Sequence, residues 1–147
     1  MGYKQIFYQI VFGTKNREMT ISEAHCDELY RYIWGIVKNS NCKLYRINGV
    51  ADHIHIFSDL NPSLSLADYV KKIKVSSSIW MKENDKFPDF NGWQDGYGAF
   101  TYSIREKDMI INYIKDQKNH HKTESFYDEY KRLLLENGIE FNEKYLL

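Results

Sequence analysis

The chain has 147 residues, 43% of them hydrophobic and only two of them proline, which suits one compact domain over 1–147 with a core large enough to fold unaided. That composition excludes a disordered tail, a low-complexity linker and a repeat array. Twenty basic and twenty acidic side chains balance to zero, which excludes a strongly basic nucleic-acid binder, although the segment from Thr123 onward holds six acids against three bases and leaves 1–122 slightly positive. The first six residues lack the apolar run of a signal peptide, and no stretch approaches bilayer-crossing length, so a cytoplasmic protein is expected. Cys26 and Cys42 are isolated and fit neither a disulfide framework nor a CxxC metal site.

In chain order, residues 3–12 are rich in aromatic and β-branched types and read as a buried strand. Thr20-x-x-Glu23 has the form of a capping box and opens a helix to about Asn39, with Leu29, Ile33, Ile36 and Val37 at helical spacing. Residues 43–50 and 53–59 read as two strands joined tightly through Gly49–Asp52, hence an antiparallel hairpin. Ser65-x-x-Asp68 caps a second helix to about Glu83, whose inner stripe is Leu66, Val70, Ile73, Ser77 and Trp80. An irregular stretch over 84–95 leads to a strand over 97–102. Ser103-x-x-Glu106 is another capping box and opens a helix to about His120. A last helix over 124–136 stops at Asn137-Gly138, because glycine suits the left-handed position after a helix end. The order β-α-β-β-α-β plus C-terminal helices predicts an α+β, ferredoxin-like or RRM-like fold, an antiparallel sheet with helices on a face.

Asp52-His53-Ile54-His55-Ile56-Phe57 is the most informative segment. Alternation on a strand sends His53 and His55 to one face and the two isoleucines to the other. Two neutral imidazoles side by side can chelate one cation, and the competing reading is a pair of surface histidines. Farther on, Tyr113 and Gln117 are four apart on one helical face, with Ile110, Ile111 and Ile114 supplying a neighbouring apolar face. A phenol with a pKa of about 10 is a poor nucleophile until a cation or a base activates it. The competing reading is that Tyr113 simply packs, as one of twelve tyrosines.

Together these segments resemble the single-tyrosine HUH transposases, the small transposases of the simplest insertion sequences. The resemblance runs over nearly the whole chain. It includes Phe12-x-Thr14-Lys15-x-Arg17, Asn48-Gly49-Val50-x-Asp52-His53-Ile54-His55 and Ile73-Lys74-x-x-Ser77-Ser78-x-Trp80. It continues through Trp93-Gln94-x-Gly96-Tyr97-Gly98-Ala99-Phe100 to Tyr113-Ile114-x-x-Gln117 and His120-His121-Lys122. The resemblance implies that His53, His55 and Gln117 bind a divalent ion, Mg2+ or Mn2+. It implies that Tyr113 attacks single-stranded DNA and keeps the 5′ end as a phosphotyrosine. It also implies hairpin-bearing DNA ends as substrate, and a homodimer in which the tyrosine helix completes a partner's site.

Lys71, Lys74, Ser78 and Lys82 follow one another at helical spacing and read either as a phosphate-tracking stripe or as a solvated helix face. Tyr97, with Phe100 and Tyr102, can stack on bases or fill the core. His120 and His121 can orient metal ligands, contact phosphate, or complement a helix dipole. The segment 126–147 is expected to seal the core. Three rivals stand beside the transposase: a host-domesticated relative that processes palindromes, a non-catalytic RRM-like nucleic-acid-binding module, and a small metal hydrolase. The absence of a K/R-G-F/Y pattern speaks against the module.

Overall fold

The computed structural model describes residues 2–146. Its elements are β1 (Phe7–Gly13), α1 (Cys26–Asn39), β2 (Leu44–Val50), β3 (His53–Asp59), α2 (Leu66–Lys82), β4 (Gly98–Tyr102), α3 (Lys107–Lys115), α4 (Gln117–His120) and α5 (Phe126–Glu136). The sheet runs β2-β3-β1-β4 with every pair antiparallel, the ferredoxin-like arrangement that the element order predicts.

Both faces of the central strands are covered. On one face Ile10, Phe12, Ile54 and Ile56 pack with α1 and α2 through Leu29, Ile33, Val37, Val70 and Ile73. On the other, Val11 and Phe100 meet Phe126, Tyr130, Leu133 and Leu134 of α5, and Phe7 and Phe57 meet Ile110 and Ile114 of α3. The C-terminal segment therefore does seal a core, and it seals the face onto which His53 and His55 project. At about 25 cal/mol per Å2 of apolar surface, such a second layer is a main source of stability and not an ornament.

The hairpin needs its glycine. A Cβ on Gly49 would lie 2.2 Å from the His53 carbonyl oxygen, so only glycine lets β2 close on β3 here. Ser65 caps α2 by accepting from the Asp68 N–H at 3.1 Å, and Ser103 and Glu106 form the expected capping box. Gly138 sits at φ 67° just beyond α5, the left-handed residue that ends that helix.

The three largest differences from the expected boundaries each have a tertiary reason. Strand β1 starts at Phe7 because its register begins with Phe7 opposite Asp59, where β3 ends. Helix α1 starts at Cys26 because the Thr20 and Ile21 N–H groups both bond the Ala51 carbonyl of the hairpin turn, at 3.0 and 2.9 Å, and the Thr20 hydroxyl has no partner. The helix expected over 103–120 divides into a 3-10 turn over Ile104–Glu106, then α3 and α4, with a break at Asp116. There the Asn48 side chain donates to the Ile114 and Lys115 carbonyls at 3.1 and 3.0 Å, satisfying groups that a continuous helix would have used.

Candidate active site

β3 places His53 opposite Gly13 and His55 opposite Val11 of β1, and both imidazoles are fully buried. Gly13 makes room for what covers them: a Cβ there would lie 2.5 Å from the Phe126 ring. That ring stacks on His53 with centroids 3.9 Å apart and planes 3° from parallel. α3 and α4 bring Tyr113 and Gln117 over the same face, and the backbone turn at Asp116 keeps the two within one site.

The polar groups converge on one carboxylate. Oε1 of Glu129, on α5, lies 3.0 Å from His53 Nε2, 2.9 Å from His55 Nε2 and 3.0 Å from His121 Nε2. Gln117 Oε1 is 3.3 Å from His53 Nε2 and 3.1 Å from His121 Nε2, while its amide donates to Glu129 Oε2 at 3.0 Å. Tyr113 donates its hydroxyl hydrogen to Glu129 Oε2, and Arg132 Nη2 donates to that hydroxyl at 2.7 Å. Arg132 is itself held by Glu124 at 2.9 Å, and its guanidinium lies over the Tyr113 ring.

Two further groups fix the ring orientations. Asp52 Oδ1 is 2.7 Å from His53 Nδ1, and Gln9 Nε2 is 3.0 Å from His55 Nδ1 while Gln9 Oε1 accepts from the Tyr102 hydroxyl at 2.8 Å. A carboxylate behind an imidazole is the usual partner of a metal-binding histidine, since it holds the Nδ1–H and aims Nε2 forward. Behind His55 the same task falls to Gln9, whose amide can present its oxygen when Nδ1 carries the hydrogen.

Burial pulls the site in opposite directions. Desolvation alone favours neutral His53, yet its hydrogen bonds to Asp52 and Glu129 lift it above its ordinary value; for His55 burial wins and the ring is held neutral. Burial would raise the Glu129 carboxyl, but the surrounding histidines outweigh it and keep Glu129 ionised. The Tyr113 hydroxyl is pushed up by burial and then by the Glu129 charge, so it remains protonated. The ligand atoms of His53, His55, His121 and Glu129 all lie within 4.8 Å of one another. Imidazole nitrogens with a carboxylate and an amide oxygen fit a divalent transition ion, so the cluster can hold one.

The structure thus brings His53, His55, Gln117 and Tyr113 into one place, together with His121. His120 stacks on the Tyr113 ring at 4.6 Å and lines, with Tyr113, Thr123, Glu124 and Arg132, a cleft of about 520 Å3. The other residues lie elsewhere. Lys71 and Lys82 are exposed on α2, and Lys82 borders a separate cleft with Lys15, Arg17 and Ser78. Lys74 instead turns its ammonium to the Gln94 and Gly96 carbonyls, at 2.6 and 2.8 Å, and Tyr97 packs against the main core.

Glu129, Arg132 and Gln9 escape the sequence reading. For Glu129 a signal exists: it interrupts the buried stripe Phe126, Tyr130, Leu133, Leu134, where a fully buried acid calls for a cationic partner.

A family model described as "Transposase IS200 like" matches residues 3–117. No curated protein matches the chain. Among solved structures, a candidate transposase from Deinococcus radiodurans R1 is similar with a TM-score of 0.63 and 24% identity, over 80% of this chain and 95% of that one. A REP-associated tyrosine transposase bound to a REP hairpin is similar with a TM-score of 0.62 and 12% identity, over 82% of this chain and 74% of that one. At these identities the two structures establish the fold. Among the described residues no helix is long and apolar enough to cross a membrane.

Proposed function

The chain belongs to the IS200-like transposase family, and from that membership we propose that it cuts and rejoins single-stranded DNA through a covalent bond to Tyr113. The observation that carries this reading is the meeting of Tyr113 with His53, His55 and Gln117 in one buried site. The substrate would be DNA whose unpaired ends carry hairpins, a reading supported by the hairpin bound to one structural neighbour. The reaction would take place in the cytoplasm.

The chemistry follows from the groups present. The Tyr113 oxygen attacks the scissile phosphorus as its proton passes to the Glu129 oxygen it already faces. The bond to the 3′-oxygen breaks, that oxygen takes up a proton to leave as a hydroxyl, and the 5′ end stays on the enzyme as a phosphotyrosine. A second 3′-hydroxyl then attacks that phosphotyrosine and reseals the strand without an external energy source. His53, His55 and Gln117 would hold a divalent ion, which when bound supplies a Lewis acid for the scissile phosphate. Arg132, already bonded to the Tyr113 oxygen, stands where negative charge would collect on that oxygen and on the phosphate. His120 and the exposed Lys71 and Lys82 are proposed to contact the DNA backbone. Lys74 and Tyr97 are proposed as indirect contributors that shape the 94–97 loop and the sheet edge. A homodimer belongs to this proposal, and whether its sites are composite is decided by mixing complementary variants. Each chain holds Tyr113 at its own histidines, so composite sites would require exchange of α3.

The test is strand cleavage of labelled hairpin DNA from the flanks of the chain's own gene, with Mn2+ or Mg2+ and with EDTA. Metal-dependent cutting of the single strand, with the duplex form resistant, is expected. Hairpin binding with no cutting under any divalent ion would reduce the chain to a binding module, and cutting that survives Tyr113→Phe would make it a hydrolase.

A further inference from the structure

We propose that α5 and the turn after α4 are part of the metal centre: Glu129 and His121 are ligands together with His53 and His55, and Glu129 ties that ion to Tyr113. The inference rests on the metal-dependent reading above and revises its ligand set, with Gln117 left as the hydrogen-bond partner of Glu129 and His121.

Three imidazole Nε2 atoms approach a single carboxylate oxygen at 2.9–3.0 Å. Ligands about 2.0–2.2 Å from a tetrahedral ion stand about 3.4 Å from one another, so a spread of a few tenths of an ångström would admit an ion. The rings are already turned for it. Asp52 accepts at Nδ1 of His53, and Gln9 meets Nδ1 of His55, where its amide, turned to present the oxygen, would hold the Nδ1–H and free Nε2. Both Nε2 atoms face Glu129. Glu129 itself is completely buried in an otherwise apolar helix stripe, a costly place for a carboxylate without a cation. Its second oxygen accepts the Tyr113 hydroxyl, so one side chain touches both the ligand cluster and the nucleophile.

Glu129 and His121 both lie beyond residue 117, where the family match ends. The matched segment therefore assigns neither of them a role. Three imidazoles and a carboxylate also change the preference among ions. Mg2+ favours oxygen ligands and its own waters, whereas Mn2+, Co2+ and Zn2+ accept nitrogen readily, in increasing order of affinity from Mn2+. The assigned centre is thus a transition-metal site.

Co2+ titration of the full chain without DNA tests this directly. Binding is followed by visible absorption and calorimetry, and near-UV circular dichroism verifies the fold of each variant. The wild type is expected to take one Co2+ with the strong bands of a low-coordinate site. Glu129→Gln and His121→Ala should each weaken binding at least tenfold and alter the bands. In the unmutated protein, three paramagnetically shifted imidazole N–H signals are expected, which keeps the test independent of whether a variant folds. Two such signals, or wild-type affinity and bands in Glu129→Gln and His121→Ala while His53→Ala loses the ion, would overturn the inference alone. Tighter binding in Glu129→Gln would also overturn it, since that carboxylate would then be an obstruction. Undiminished binding in His53→Ala would overturn it together with the metal role proposed for the histidine pair.

Discussion

The hydroxyl of Tyr113 and the carboxylate of Glu129 form a direct hydrogen bond, with the phenol as donor and Oε2 as acceptor. The other oxygen of that carboxylate faces His53, His55 and His121. A nucleophile that is buried and bonded to an anion does not ionise near neutral pH, and here both burial and Glu129 act in that direction. Arg132, which donates to the same phenol oxygen at 2.7 Å, acts against both.

Replacing Arg132 with alanine is expected to slow strand cleavage by about 10- to 100-fold, as loss of one charged donor aimed at a reacting oxygen commonly does. Lysine at 132 should restore only part of this, because it cannot hold Glu124 through the paired donors and reach Tyr113 at once. Single-turnover cleavage rates at saturating DNA decide it. A wild-type rate in Arg132→Ala would show that the contact is only structural.

Gly13→Ala is expected to lower stability by roughly 1–3 kcal/mol, because the added methyl meets the Phe126 ring in a filled core. The same substitution should loosen the stacking of Phe126 on His53 and so weaken metal binding in protein that remains folded. Thermal unfolding with and without Mn2+ reports both effects, as metal binding to the native state raises Tm. An unchanged Tm would mean that α5 does not close over β1 as described.

Gln9→Leu removes the group behind His55 and leaves the Tyr102 hydroxyl without its acceptor. Loss of such an orienting partner typically lowers metal affinity by about 10- to 100-fold. Calorimetric titration with Mn2+ should show that drop with the number of sites unchanged. An affinity equal to the wild type would mean that packing alone aims His55.

Tyr113 lies at the histidines of its own chain, with the His55 and Tyr113 rings 6.0 Å apart. A mixture of Tyr113→Phe and His53→Ala proteins is therefore expected to stay inactive, as neither chain holds a complete site. Recovery of about a quarter or more of wild-type cleavage on mixing would establish exchange of α3 between the chains of a dimer, the arrangement implied by the family resemblance.

The sequence made the strand pair and the tyrosine helix legible because their chemistry obeys short-range periodicity. His53 and His55 share a face by alternation, and Tyr113 and Gln117 share one by the helical repeat. What it concealed depends on residues far apart. Thr20 has every local mark of a cap, yet the hairpin turn at Ala51 takes the neighbouring N–H groups and the helix begins at Cys26. The break at Asp116 is made by Asn48, almost seventy residues earlier, whose amide reaches Ile114 and Lys115. Glu129 breaks the apolar stripe of α5, but which groups it meets emerges only when α5 is laid across the sheet. Gln9 is invisible for the same reason: only the pairing of β1 with β3 sets it beside His55.

The most direct test of the central claim is to trap the covalent intermediate. Labelled single-stranded DNA carrying the flanking hairpin is incubated with the protein and Mn2+, the protein is denatured, and label that remains attached is mapped by peptide mass spectrometry. A 5′-phosphodiester on Tyr113 is expected, absent from Tyr113→Phe and from His53→Ala. DNA cut under the same conditions with no label on the protein, or with label on another residue, would contradict that claim.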